Sequence, residues 1–187
     1  MFIFEALEAG GSVENTDLPL KADDIERMDE PYQKLDNTEE RQLIPEEKQL
    51  IREETEWSDS IIDGISSMKE YQIYKEAELV EAKVGEKTCL LRPDIDMEQR
   101  DGFGHSNCER MKQGLAPLTP EGRPYELHHI GQHQDSPLAE LTMQEHRGQG
   151  NDTILHVKTI ESEIDREKFG HERAEHWQNR AGVIKDE

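Results

Sequence analysis

The chain has 187 residues, 33% of them hydrophobic and 35% charged, enough for one or two small domains with a modest core. Its formal net charge of −21 argues against a passive nucleic-acid binder, since such proteins usually carry a basic footprint. An enzyme tolerates such a total when its site supplies a metal ion and a local arginine cluster.

The acid is unevenly spread. Residues 1–87 hold 24 acidic against 10 basic side chains, a net of −14, and residues 88–187 hold 19 against 12, a net of −7. Residues 1–44 read as an acidic, weakly structured linker: Gly10-Gly11-Ser12 and many carboxylates surround few apolar anchors. Met1-Phe2-Ile3-Phe4-Glu5 is too short and too soon acidic for a signal peptide, and no run has the length of a membrane span. Export would therefore need machinery acting through a longer parent chain, and no membrane insertion is expected. Cys89 and Cys108 form neither a C-x-x-C pair nor a disulfide framework, and read as small thiols.

Residues 45–92 read as a small helical module closed by a hairpin. Pro45, Glu46 and Glu47 punctuate a helix start, Ser58 caps a short turn through Ile61 and Ile62, and Ser67 with Glu70 fits a capping box. Residues 83–91 read as the hairpin. The module holds no catalytic constellation, and packing or docking is its default role. Its charge resembles that of nucleic acid, so residues 1–87 are expected to restrain the downstream domain.

Residues 93–187 form the second domain. A loop-rich stretch carries a short helix over 106–113. Strands follow at 125–132 and 137–141, then a helix capped by Thr142 with Glu145 and stopped near Gly148, a turn over 152–158, and a long helix from Ser162 to Ala181. Strand, loop, strand, helix is the order of a ββα-metal site, so the fold class is α+β: a C-terminal ββα-metal core with flanking helices behind a small, mainly helical, acidic module.

The chemistry concentrates in Glu126-Leu127-His128-His129-Ile130-Gly131-Gln132, followed by His146, Asn151 and His156. Histidine is both a common metal ligand and a common general base near neutral pH. The spacing assigns His128, His146 and His156 to one divalent ion (Zn, Ni, Mg or Mn) and His129 to the base that deprotonates water. The ion would act as Lewis acid and template on a phosphodiester. Asn151 would orient His129 or the water. On a regular strand His128 and His129 point to opposite faces, so both reach one site only if the strand ends or bulges there, and Gly131 provides such an end. Arg166, Phe169, Arg173, Trp177 and Arg180 share one helical face, with Arg166 and Arg173 the candidates for phosphate contact and a packed aromatic stripe the competing reading. His105, His133, His171 and His176 read as surface residues rather than site residues, with packing against Trp177 the alternative for His176. A non-catalytic module with a structural metal, or an RNase using the same site, are the alternatives.

These motifs resemble the LHH family, nuclease toxin domains of the HNH/endonuclease VII superfamily found at the C-termini of bacterial polymorphic toxins. The resemblance runs over residues 94–181. It takes in Asn107, Glu109-Arg110-Met111 and Gly114-Leu115-Ala116-Pro117 upstream, then the His128-His129 run, Glu145-His146-Arg147-Gly148, Gly150-Asn151, Ile154-Leu155-His156, Ser162 to Arg166, Phe169, Glu172-Arg173 and Trp177. His105-Ser106 stands where the family pattern has a basic residue followed by Thr. Residues 1–90 are similar, more weakly, to the acidic linkers that precede such domains. The resemblance implies a ββα-metal fold, metal-dependent cleavage of DNA, secretion or delivery into the cytoplasm of competing bacteria, and a cognate immunity protein in the producer.

Overall fold

The computed structural model describes residues 42–148, 150–156, 158 and 164–183. All but the last three residues of the expected linker lie outside these, as do Ser162 and Glu163 at the expected start of the long helix.

Helix α1 (Pro45–Thr55) begins as its sequence dictates. Pro45 has no N–H to leave unpaired, Glu46 and Glu47 sit at the positive end of the dipole, and the Glu47 carboxylate accepts the Ile44 N–H at 3.0 Å. Helix α2 (Asp59–Ile62) buries Ile61 and Ile62 completely. Helix α3 (Met68–Glu76) starts on Ser67, whose hydroxyl accepts the Glu70 N–H at 3.2 Å. The expected capping box is only half made there, because the Glu70 carboxylate turns inward instead of returning to Ser67. Strands β1 (Val80–Val84) and β2 (Lys87–Leu91) then form the expected hairpin.

Helix α4 (Asn107–Lys112) is closed by a full Ser106–Glu109 capping box. Strand β3 (Glu126–His129), a 3₁₀ turn (Ile130–Gln132) and strand β4 (Leu138–Leu141) follow, with β3 and β4 antiparallel. Helix α5 (Met143–Arg147) has the Thr142–Glu145 box, and helices α6 (Asn151–Leu155) and α7 (Arg166–Val183) complete the described elements. No helix among the described residues is long and apolar enough to cross a membrane.

One sheet joins the two hairpins, in the order β1-β2-β4-β3, with β2 and β4 parallel and Cys89 opposite Leu138. The expected boundary between residues 92 and 93 therefore does not separate two cores. Leu90 and Ala139 lie side by side in a core with Ile51, Ile61 and Tyr74, while Cys89, Leu91 and Leu138 pack on the other face with Met111, Tyr125 and Trp177. A hairpin alone has little to bury, and each of these hairpins gains a second covered face by sharing the sheet. Removing residues 1–87 would take away α1–α3 and β1 with the core they build, so unfolding, rather than release of a restrained enzyme, is the expected result of that deletion.

The turn after β3 depends on Gly131. Its φ is +69°, its N–H is donated to Glu70 at 2.9 Å, and a Cβ there would overlap the Gly64 carbonyl oxygen. Gly131→Ala combines a left-handed backbone with backbone overlap, and is expected to cost about 3 kcal/mol. A urea midpoint unchanged from wild type would contradict this.

Candidate metal centre

Strand β3 lies at the edge of the sheet, and its alternation decides where its histidines go. Directly opposite neighbours project to the same face. His128 pairs with Ala139 and faces the α1–α3 side, whereas His129 pairs with Leu138 and faces α7. The strand ends at His129, and both rings line one cleft of about 450 Å³ that opens at this edge. The two histidines thus keep opposite faces and still share a site.

His128 projects toward α5 and the end of α6. His146 Nε2 lies 3.2 Å from His128 Nδ1 and 3.2 Å from His156 Nε2. His128 and His146 are buried and His156 is half-buried. Two of the outward nitrogens have carboxylate partners that fix their tautomers. His146 Nδ1 donates to Glu126 Oε2 at 2.7 Å, and His156 Nδ1 donates to Asp152 Oδ1 at 3.0 Å. The third, His128 Nε2, is fully buried without a hydrogen-bond partner and has the Glu70 carboxylate 4.0 Å away, which favours the proton on that nitrogen. With protons on the outward side, three lone pairs converge on one point. Neutral imidazoles crowded in this way repel one another unless a cation lies between them, and an outward N–H on a carboxylate is the usual support of a metal-ligating histidine. The residues present therefore fit a divalent ion.

Burial and the neighbouring imidazoles His146 and His156 push the pKa of His128 well below the ordinary value. Burial likewise lowers those of His146 and His129, although Glu126 and Glu172 oppose the shift. His128, His146 and His129 are therefore favoured in the neutral form, which at His128 and His146 is the form that binds metal. A lowered histidine pKa means that the unfolded chain takes up protons the folded chain refuses. The stability is complete above the unfolded value of about 6.5 and is lost as pH falls from there toward the folded values. Each such group contributes up to about 1.4 kcal/mol per pH unit in that window. The melting temperature of metal-free protein is expected to drop between pH 7.5 and pH 5, and less steeply in His128→Ala. Parallel profiles for the two proteins would contradict the assignment.

His129 Nε2 lies 2.9 Å from Glu172 Oε2 on α7, and its ring packs 4.5 Å from that of Phe169. Glu172 is ion-paired in turn with Lys87 of β2. The Gln134 carbonyl also favours the protonated ring. A neutral imidazole has a single N–H for these two acceptors, so a proton taken up by the ring meets a waiting partner. That is the environment of a base whose protonated form is stabilised as it forms.

Arg166 and Arg173 line the same cleft and are exposed, Arg173 with its guanidinium 5.1 Å over the Phe169 ring. Among the described residues neither is paired with a carboxylate. Arg147 and Lys158 also border the cleft, but they are paired with Glu126 and Asp152. The helix stripe divides: its first half supplies the cleft, whereas Trp177 is core and Arg180 is buried against Glu140 and the Arg92 carbonyl.

Asn151 does not take the place expected for it. Its amide donates to the Glu145 carbonyl at 2.8 Å, tying α6 to α5, and it stands outside the cleft lining. His176 takes the packed alternative and not the surface one: it is buried, with Nε2 2.8 Å from Glu140 Oε1 and its ring against Trp177. Burial raises the Cys89 thiol to about 11, which makes it inert. Three carboxylates were missed although two left a local signal. Glu126 lies two residues before His128 on a strand, hence on its face, and Asp152 lies four before His156 on a helical turn. Glu172 left only its place in the family motif, because the packing of α7 is what brings it to His129.

The strand–turn–strand–helix order with a histidine triad on its rim belongs to the HNH-type nuclease fold. Residues 106–182 match the LHH family model, described as a nuclease of the HNH/ENDO VII superfamily with conserved LHH, and that segment is an LHH nuclease domain. Leu127-His128-His129 lies within it. No solved structure matches the chain.

Proposed function

We propose that the chain is a metal-dependent endonuclease that hydrolyses the phosphodiester bonds of DNA. The observation that carries this reading is the triad of inward lone pairs beside a separate, carboxylate-backed histidine in one cleft. His128, His146 and His156 would hold the divalent ion, which when bound supplies Lewis acidity at the phosphate. His129 would take a proton from the attacking water, and Glu172 would stabilise the imidazolium that results. Arg166 and Arg173 would hold the non-bridging phosphate oxygens and supply the positive charge that the overall composition lacks. Three protein ligands among the described residues support a catalytic centre over a structural one, since structural sites of this kind close with a fourth.

The direct test is plasmid nicking by the full chain across Zn²⁺, Ni²⁺, Mg²⁺ and Mn²⁺, with a chelator control and an RNA substrate in parallel. Nicking that the chelator stops is expected. Cleavage of RNA alone would transfer the reading to an RNase. No cleavage under any metal, together with metal-dependent melting, would leave a structural metal site. Arg166→Ala and Arg173→Ala are each expected to weaken DNA binding roughly tenfold and to lower the salt slope by about one. A salt slope unchanged in both variants would remove them from phosphate contact.

We further propose that the enzyme acts as a toxin delivered into competing bacteria and is neutralised in its producer by an immunity protein. The resemblance to toxin nuclease domains supports this. Production of the chain in a bacterial cytoplasm without a partner should degrade chromosomal DNA, and healthy growth with active enzyme present would sink the toxin role.

A further inference from the structure

Glu70 lies on α3, upstream of the matched domain, and the chemistry above gives it no part. It is 1% exposed, bonded to Tyr74 of the first core. A carboxylate is a costly choice at such a position unless its oxygens are fully engaged. They are. Oε2 accepts the Ser66 N–H at 2.8 Å and the Ser66 hydroxyl at 2.6 Å. Oε1 accepts the Tyr74 hydroxyl at 2.6 Å and the Gly131 N–H at 2.9 Å, and faces His128 Nε2 at 4.0 Å.

We propose that Glu70 is a positioning residue for the metal centre, an inference that rests on the metal reading of the triad. It acts at two points. Its negative charge, 4.0 Å from a His128 Nε2 that has no hydrogen-bond partner, holds the ring proton on that side by electrostatic attraction and leaves the Nδ1 lone pair directed into the triad, a longer-range counterpart of the hydrogen bonds that Glu126 and Asp152 make to His146 and His156. Its bond to the Gly131 N–H anchors the turn that follows His129. Four donors hold the carboxylate itself in place, so neither function relies on a mobile side chain. Ser66, Glu70 and Tyr74 all precede residue 106, and the working unit of the nuclease therefore reaches back into the N-terminal helices.

The test uses the full chain and Co²⁺ alone, whose visible absorption reports the donor set. Glu70→Gln is expected to bind Co²⁺ about tenfold or more weakly than wild type. In metal-free wild-type protein, ¹⁵N resonances should place the His128 proton on Nε2, and in Glu70→Gln they should show a mixture of tautomers. His146→Ala serves as the control for lost ligation. Wild-type Co²⁺ affinity in a Glu70→Gln protein that merely melts earlier would reduce Glu70 to a structural tie and overturn the proposal alone. If the variant fails to fold, the wild-type spectrum decides, and a His128 proton on Nδ1 overturns the proposal. Absence of Co²⁺ binding by wild type removes the metal reading itself, and the proposal with it.

Discussion

His129→Ala is expected to slow plasmid cleavage roughly 10²–10⁴-fold, the usual contribution of a positioned general base. Metal affinity should stay within a few-fold of wild type, because His129 faces α7 while the triad faces the opposite side of the strand. The ring is buried against Phe169, so its loss leaves a small void and a modest drop in melting temperature. Binding of uncleaved DNA should persist, since Arg166 and Arg173 remain on the rim. A variant that nicks plasmid at the wild-type rate would remove His129 from the chemistry. A variant that loses metal as well would show that the faces of β3 are not independent.

His146→Ala is expected to take cleavage to background and to weaken divalent-ion binding by more than about 100-fold, because two ligands of the original three remain and the second-sphere support of Glu126 is lost with the third. The metal-free protein should be affected far less. Removing one of three converging lone pairs relieves repulsion and offsets part of the cavity left by the ring. Two melting curves per protein separate these effects. Wild type should gain stability on metal addition in proportion to affinity, and His146→Ala should gain almost none. An equal metal-induced shift in both would exclude His146 as a ligand.

Local rules made much of the architecture legible. Pro45 with Glu46 and Glu47, Ser106 with Glu109, and Thr142 with Glu145 each fixed a helix start, and period-two alternation around Gly131 located the β3–β4 hairpin. The triad was legible because few residue types can do its work and three such residues clustered in a short span. What escaped depends on long-range packing. Glu70 fits a capping box by spacing, yet the Gly131 N–H, the Tyr74 hydroxyl and Ser66 together outbid the Ser67 N–H for its oxygens. The parallel contact of β2 with β4 joins strands almost fifty residues apart, and nothing local encodes it, so the sequence suggested two modules where one sheet exists. Asn151 was expected to orient His129 or the water with its side-chain amide, but the first turn of α6 directs that amide to α5.

The parallel pairing of β2 with β4 also governs when the enzyme can become active during synthesis. Cys89 must wait for Leu138 to emerge from the ribosome before the sheet can close, and closure across so long an intervening stretch is slow. Phe169, Glu172 and Arg173 emerge later still, on α7. A nascent chain therefore exposes its histidines before α7 has completed the cleft around them.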